Sequence, residues 1–380
     1  MIKAVIQSRI YFLFLCCIIV GGCIYDGSKQ RRIGDRFLIR GNDFLLKVEG
    51  SYGFVLNKDS IIISKINLYT NDTVLTVPLK TQIVPNDLIG GISHRFFIQN
   101  SDSIFFIRTN HSTQQNEILL FNRHGTLTHC VIIADTMLET FNNFPGKPLQ
   151  IRIVPNPRLE YHNNRLYFGI SANIDMTTEK GWNQYYSKVC PNVIYDINNK
   201  VYYNEGGGFP EIYRNGNGYR DYYAFRCVLD TCIVYSFGLS DSLYIYSVAI
   251  PDKLLFTVNC PSRFVLRPNP VHKHILNDYN SLKIYLLNEF RYKGIYYNRN
   301  TQQFYRIASF QTEQEDPGGN FNTSNNFSII VIDRNFHVID ERKFLSSEYS
   351  PIIFPVKNGY FIKCSNTKGT CCYELFSTER

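Results

Sequence analysis

The chain has 380 residues, a formal charge of +8 and an aromatic content of 15%. Its Lys and Arg residues are scattered, with one cluster at Lys29, Arg31 and Arg32, and no dense basic face forms, which argues against a nucleic-acid partner. Tyr, Phe, Ile and Val abound, and no segment after residue 23 carries a sustained helical apolar stripe, so an all-β fold is expected.

The first element is a leader. Lys3 and Arg9 precede an apolar run from Ile10 to Val20, and Gly21-Gly22 stand before Cys23. A basic start, a short apolar core and small residues at the cut describe a secretory signal peptide. The run is too short for a membrane span, which needs roughly 20 apolar residues. A cysteine directly after the cut marks a bacterial lipoprotein signal, with residues 1–22 removed and Cys23 acylated. Several acyl tails suffice for stable anchoring. Residues 23–35 then form a lipidated linker and residues 36–380 a single domain.

Within that domain one unit recurs: an apolar strand, a polar turn and a second strand. Its copies begin at Ile66, Ile118, Val193, Leu243 and Ile329. Gaps near fifty residues suit a four-stranded propeller blade, and the longer gaps imply loop insertions. Inner pairs precede these hairpins, as in Arg95 to Ile98 with Ile104 to Ile107, and Asp221 to Phe225 with Ile233 to Ser236. Near the C-terminus three strands remain, ending in Cys372 to Phe376, one strand short of a blade. Arg36 to Ile39 can supply the missing strand, closing the ring and removing exposed edges. The expectation is a six-bladed β-propeller of four-stranded antiparallel blades. Seven blades is the rival, because Ile284 to Leu287 and Ile295 to Tyr297 could form a blade of their own.

The lipobox, the length and units such as Val331-Ile332-Asp333-Arg334-Asn335-Phe336 resemble an uncharacterised family of Bacteroidetes-type lipoproteins, classed by a domain of unknown function. That family resembles the six-bladed TolB-like propellers. Its most distinctive segment matches Tyr292 to Ile307, with Asn298 where Asp is usual. The resemblance implies a fold and an envelope location, not a mechanism. Charges after Cys23 are mostly positive, so the anchor is expected to face the periplasm from the outer membrane.

Candidate chemistry is sparse. A hairpin turn at Leu229-Asp230 would set Cys227 opposite Cys232, and Cys364 and Cys371 flank a second turn; each pair could form a disulfide, or pack as free thiols. His272 and His274 share one side of an extended strand but lack a third metal ligand, so no metal is expected. Glu313, Glu315 and Asp316 lack the ligand spacing of a calcium loop. Glu205-Gly206-Gly207-Gly208 is no phosphate loop, since no Gly-Lys-Ser/Thr is present. Arg158, Glu160, Tyr161, Arg291, Tyr305 and Arg306 fall on inner strands or their loops. Arginine and tyrosine at a propeller mouth suit carboxylate or sugar recognition, and they suit packing between blades equally well. The function expected is non-enzymatic binding of a glycan, peptide or envelope protein, without a cofactor. The alternative is a hydrolase or lyase acting on glycans or lactones, with carboxylates or a metal in the funnel.

Overall fold

A computed structural model describes residues 32–33, 36–40, 43–57, 60–68, 70, 72–79, 96–110, 113, 115–133, 159–170, 174, 178–204, 206, 208–214, 223–264, 278, 280–281, 285, 290–311, 325–365 and 370–377. The leader, Cys23, Arg158, His272, His274, Glu313, Glu315 and Asp316 lie outside the described residues.

Two strands come first: β1 (Arg32–Ile33) and β2 (Arg36–Arg40). The first blade then comprises β3 (Asp43–Glu49), β4 (Tyr52–Asn57), β5 (Ile62–Asn67) and β6 (Thr73–Pro78). The second comprises β7 (Phe96–Asn100), β8 (Ser103–Asn110), β9 (Gln115–Phe121) and β10 (Leu127–Ile133). The third has β11 (Glu160–His162), β12 (Arg165–Gly169), β13 (Asn192–Asp196) and β14 (Val201–Asn204). The fourth has β15 (Ala224–Val228), β16 (Cys232–Phe237), β17 (Ser242–Ser247) and β18 (Leu254–Asn259). The fifth has β19 (Arg291–Asn298), β20 (Gln303–Gln311), β21 (Asn325–Ile332) and β22 (Val338–Phe344). Each of these sheets is antiparallel and runs in sequence order.

The sixth blade is composite. β23 (Tyr349–Val356), β24 (Gly359–Cys364) and β25 (Thr370–Ser377) are followed by β2 and then β1. Phe37 faces Tyr373 and Ile39 faces Cys371 across the closing ladder. The expected closure by the N-terminal strand is therefore present. The ring has six blades, because β19 is the inner strand of the fifth blade rather than part of a seventh.

Both faces of the middle strands are buried, which explains runs such as Ile329-Ile330-Val331-Ile332. The core is correspondingly divided into six apolar clusters, one between each pair of adjacent blades. Between blades one and two, Phe54, Leu56 and Ile63 meet Phe96, Ile104 and Phe106. The outermost strands β6, β10, β18 and β22 are mostly exposed. Turns lock the blades together as well. Gly125 has φ +73°, and a Cβ there would lie 2.0 Å from the Pro78 carbonyl oxygen, so only glycine fits.

One element was not expected. Between β12 and β13 lies helix α1 (Glu179–Lys188), whose Thr178 hydroxyl accepts from the Gly181 amide at 3.1 Å. Trp182, Tyr185, Tyr186 and Val189 turn its inner face onto Phe209, Tyr213 and Phe237. The helix is short and its apolar face is aromatic, so aliphatic periodicity does not reveal it.

Inner strands neighbour one another around the ring, as β3 with β7, β15 with β19 and β23 with β3. Since strands alternate in direction, the loops joining first to second and third to fourth strands share one end. Those turns are short: 50–51, 101–102, 163–164, 229–231, 299–302 and 357–358 after the inner strands. The opposite end carries the long connections, including the segment with α1. The start of β2 and the end of β25 both lie at the short-turn end, where Arg36 faces Glu374.

Candidate functional site at the short-turn end

Charged side chains from four blades gather around the ring axis at the short-turn end. Apart from Lys65 on β5, each belongs to an inner strand, to the turn that follows it or to the next strand. β3 supplies Lys47 and Glu49, with Lys65 behind them: the ammonium groups of Lys47 and Lys65 lie 3.6 and 3.3 Å from Glu49. Lys47 also donates to the Gln99 carbonyl of the second blade at 2.6 Å. β11 ends in His162, whose Nε2 lies 3.9 Å from Asp230 in the turn of the fourth blade. Arg299, in the turn of the fifth blade, lies 4.0 Å from the same carboxylate oxygen.

Asp230 is 81% exposed and Arg299 69%, so these ion pairs hold little energy and leave both groups available. Their electrostatic reach is nevertheless shared. Burial lowers the Lys47 ammonium, Glu49 opposes that shift, and Arg299 repels it from across the ring. Burial likewise lowers His162, against the pull of Asp230, which keeps its imidazole neutral near pH 7. Higher along the axis, burial takes Lys293 down to about 8, with Arg291 adding repulsion. Lys293 falls where the β19–β20 register shifts, at a bulge between Tyr292 and Gly294. Such bulges re-aim side chains.

Asp230 also borders a cleft of about 480 Å³ between blades three and four, lined by Asn163, Arg165, Tyr167, Asp196, Asp230, Thr231, Val248 and Ala249. Arg165 is the cationic group of this cleft, 3.6 Å from Asp196 and within 3.5 Å of the Val248 carbonyl. Asp196 is held in turn by the amides of Asn198 and Asn199 at 3.1 and 3.0 Å, which keeps its carboxyl below the usual range. The cleft thus offers a guanidinium, an amide, a hydroxyl and a free-standing carboxylate. That set fits hydrogen bonding to carboxylates and sugar hydroxyls. Among the described residues, no group of three or more His, Cys, Asp or Glu could hold a metal ion.

The residues expected from sequence mostly fall elsewhere. Tyr161 adjoins the site, yet its hydroxyl donates to Asn164 at 2.6 Å and its ring packs on Phe105. Glu160 accepts from the Val228 amide at 3.0 Å and ties blade three to blade four. Arg291 is half-buried at the long-loop end of β19. Tyr305 and Arg306 are 0% exposed, which corrects their assignment as ligand contacts. The Tyr305 hydroxyl accepts from Asn298, which also donates to the Val356 carbonyl of blade six. Arg306 donates to Ser236 and to the carbonyls of Ser240, Asp241 and Cys260, all in or beside blade four. Both are staples between blades. The residues that do converge, Lys47, His162, Arg165, Asp230 and Arg299, carried one signal in the sequence: most stand at or just after the end of an inner strand.

The cysteines are corrected as well. In the fourth blade Cys227 faces Val234 and Val228 faces Ile233, while the Leu229 amide bonds the Cys232 carbonyl. The pairing is offset by two residues from the expected hairpin, so Cys227 and Cys232 are diagonal neighbours and free thiols. Cys371 faces Ile39 and packs with Phe37 and Leu45, away from Cys364.

Comparison with known proteins gives the following. The family model described as a domain of unknown function (DUF4221) matches residues 44–343. A crystal structure of a DUF4221 member from Bacteroides vulgatus superposes with a TM-score of 0.62 at 15% identity, covering 91% of this chain and 99% of that one. A Bacteroides fragilis protein gives a TM-score of 0.45 at 9% identity, over 92% and 94% of the two chains. A luciferin-regenerating enzyme gives 0.40 at 7%, over 89% and 94%. No curated protein matches the chain.

Proposed function

Because the chain belongs to the DUF4221 family, whose domain is of unknown function, we propose its role from its own geometry. The protein is a non-enzymatic binding module, held at the bacterial envelope by a lipid on Cys23, that recognises a carboxylate-bearing sugar or peptide at its short-turn end. The observation that carries this reading is the convergence of Lys47, His162, Asp230 and Arg299 from four blades, continuous through Asp230 with the Arg165 cleft. Arg165 pairs with the ligand carboxylate, while Asn163, Thr231 and Asp230 meet its hydroxyl or amide groups. Binding rather than bond cleavage is favoured because Asp196 is committed to turn amides, which leaves Asp230 as the single available carboxylate among the residues lining the cleft, without a second one to act with it.

The anchor adds an orientation. Residues 24–31, ahead of β1, extend to at most about 28 Å, at ~3.5 Å per residue. Since β2 begins at the short-turn end, the lipid would hold that end towards the bilayer. Membrane fractionation checks the tether: Cys23→Ala should move the protein from the pellet to the soluble fraction, and retention in the pellet would refute it.

Calorimetric titration with glucuronate and with an acidic dipeptide tests the binding. Saturable heat is expected for the wild type with at least one probe, and Arg165→Ala should weaken it tenfold or more, about 1.4 kcal/mol. No binding of either probe, or equal affinity in Arg165→Ala, would overturn the reading.

A further inference from the structure

The β24–β25 ladder pairs Lys363 with Tyr373, so one residue further Cys364 stands opposite Cys372. The two thiols are close enough to shift one another's ionisation, Cys364 upward and Cys372 downward. Facing residues in an antiparallel pair have Cα atoms about 4.5–5.5 Å apart, inside the range of about 4.4–6.8 Å that a disulfide spans. Cys364 is partly exposed and Cys372 is buried. Arg36, held by Glu374, acts on both sulfurs from the closing strand β2.

We propose that Cys364 and Cys372 are a redox modification site, which a low-molecular-weight disulfide oxidises to an intrablade disulfide beside the ring closure. The external disulfide first exchanges onto the partly exposed Cys364: its S–S bond breaks, a mixed disulfide forms and one small thiol leaves with the Cys364 proton. The Cys372 thiolate then attacks the Cys364 sulfur, and the second small thiol leaves. Two protein thiols are oxidised, and one external disulfide is reduced to two thiols. Once Cys364 is a mixed disulfide its thiol no longer favours the Cys372 thiolate; burial then opposes that thiolate and Arg36 favours it, with the Cys364 sulfur directly across the ladder for the second step. The link fastens β24 to β25, the strand on which β2 docks, so it resists opening of the ring.

The test uses the intact chain, reduced, then incubated with oxidised glutathione, alkylated and digested. Cleavage after Lys368 separates Cys364 from Cys371 and Cys372, so a cross-link joins two peptides. The expected result is that cross-link, lighter by two hydrogens, in the wild type and in Cys371→Ser, with a higher urea midpoint that dithiothreitol reverses. It should vanish in Cys372→Ser and in Cys364→Ser. The exposed Cys130 reports that the oxidant has acted. Glutathionylated Cys130 with Cys364 uncrosslinked, or a cross-link that persists in Cys372→Ser and is lost in Cys371→Ser, would overturn the proposal.

Discussion

The guanidinium of Arg306 lies 3.3 Å over the ring of Tyr292, and both belong to the fifth blade while gripping the fourth. Arg306 takes four acceptors there, and Tyr292 donates to Asp241 at 2.7 Å. Burial lowers the arginine, and Tyr292 and Asp241 oppose the shift. Arg306→Met would leave buried carbonyls without a donor. It is expected to cost about 3 kcal/mol or more, whereas Arg165→Ala at the open cleft should cost under about 1 kcal/mol. Urea denaturation of the two variants checks the contrast. Equal losses would mean that Arg306 is no staple.

Ring closure rests on a small aromatic set. Phe37 stacks on Tyr373 with centroids 5.1 Å apart and meets Phe361 edge-on at 4.8 Å. Phe37→Ala is expected to destabilise by about 3–5 kcal/mol, and the half-buried Leu38 should tolerate Ala better. Because β2 covers the edge of β25, loosening it also exposes that edge to other chains. Light scattering during unfolding should therefore rise earlier for Phe37→Ala than for Leu38→Ala.

Lys293 sets a pH dependence. Its folded form loses its proton at about 8, while the unfolded chain holds it to 10.5. Between those values the unfolded state binds more protons, so stability rises with pH. Above about pH 10 the buried tyrosines Tyr292 and Tyr360, held above their ordinary value by burial, oppose the rise. Lys293→Met should be more stable than the wild type at about pH 7, with an advantage that shrinks towards about pH 9.5. An advantage independent of pH would contradict the assignment.

Much of the fold was legible because propeller blades repeat. The hairpins beginning at Ile66, Ile118, Val193, Leu243 and Ile329 are all outer halves of blades, and the lone strand at Arg36 closes the ring. Apolar runs and turn residues encode those elements locally. The site was less legible, since it is assembled from turns far apart in sequence. His162, Asp230 and Arg299 look like ordinary turn neighbours until the ring brings them to one axis. Arg306 misled for the opposite reason: an arginine on a strand suggests a ligand, and only packing against Ser240 and Cys260 reveals a staple. Cysteine pairing failed through register. A two-residue offset separates Cys227 from Cys232, and a one-residue difference moves the partner of Cys364 from Cys371 to Cys372.

If ligand binds at the short-turn end, as proposed, the turns there must feel it. Hydrogen exchange with and without saturating ligand, using whichever of glucuronate or the acidic dipeptide binds, tests it most directly. Added protection is expected only in the turns at 163–164, 229–231 and 299–302. Protection of α1 and the long connections at the opposite end, with these turns unchanged, would contradict it.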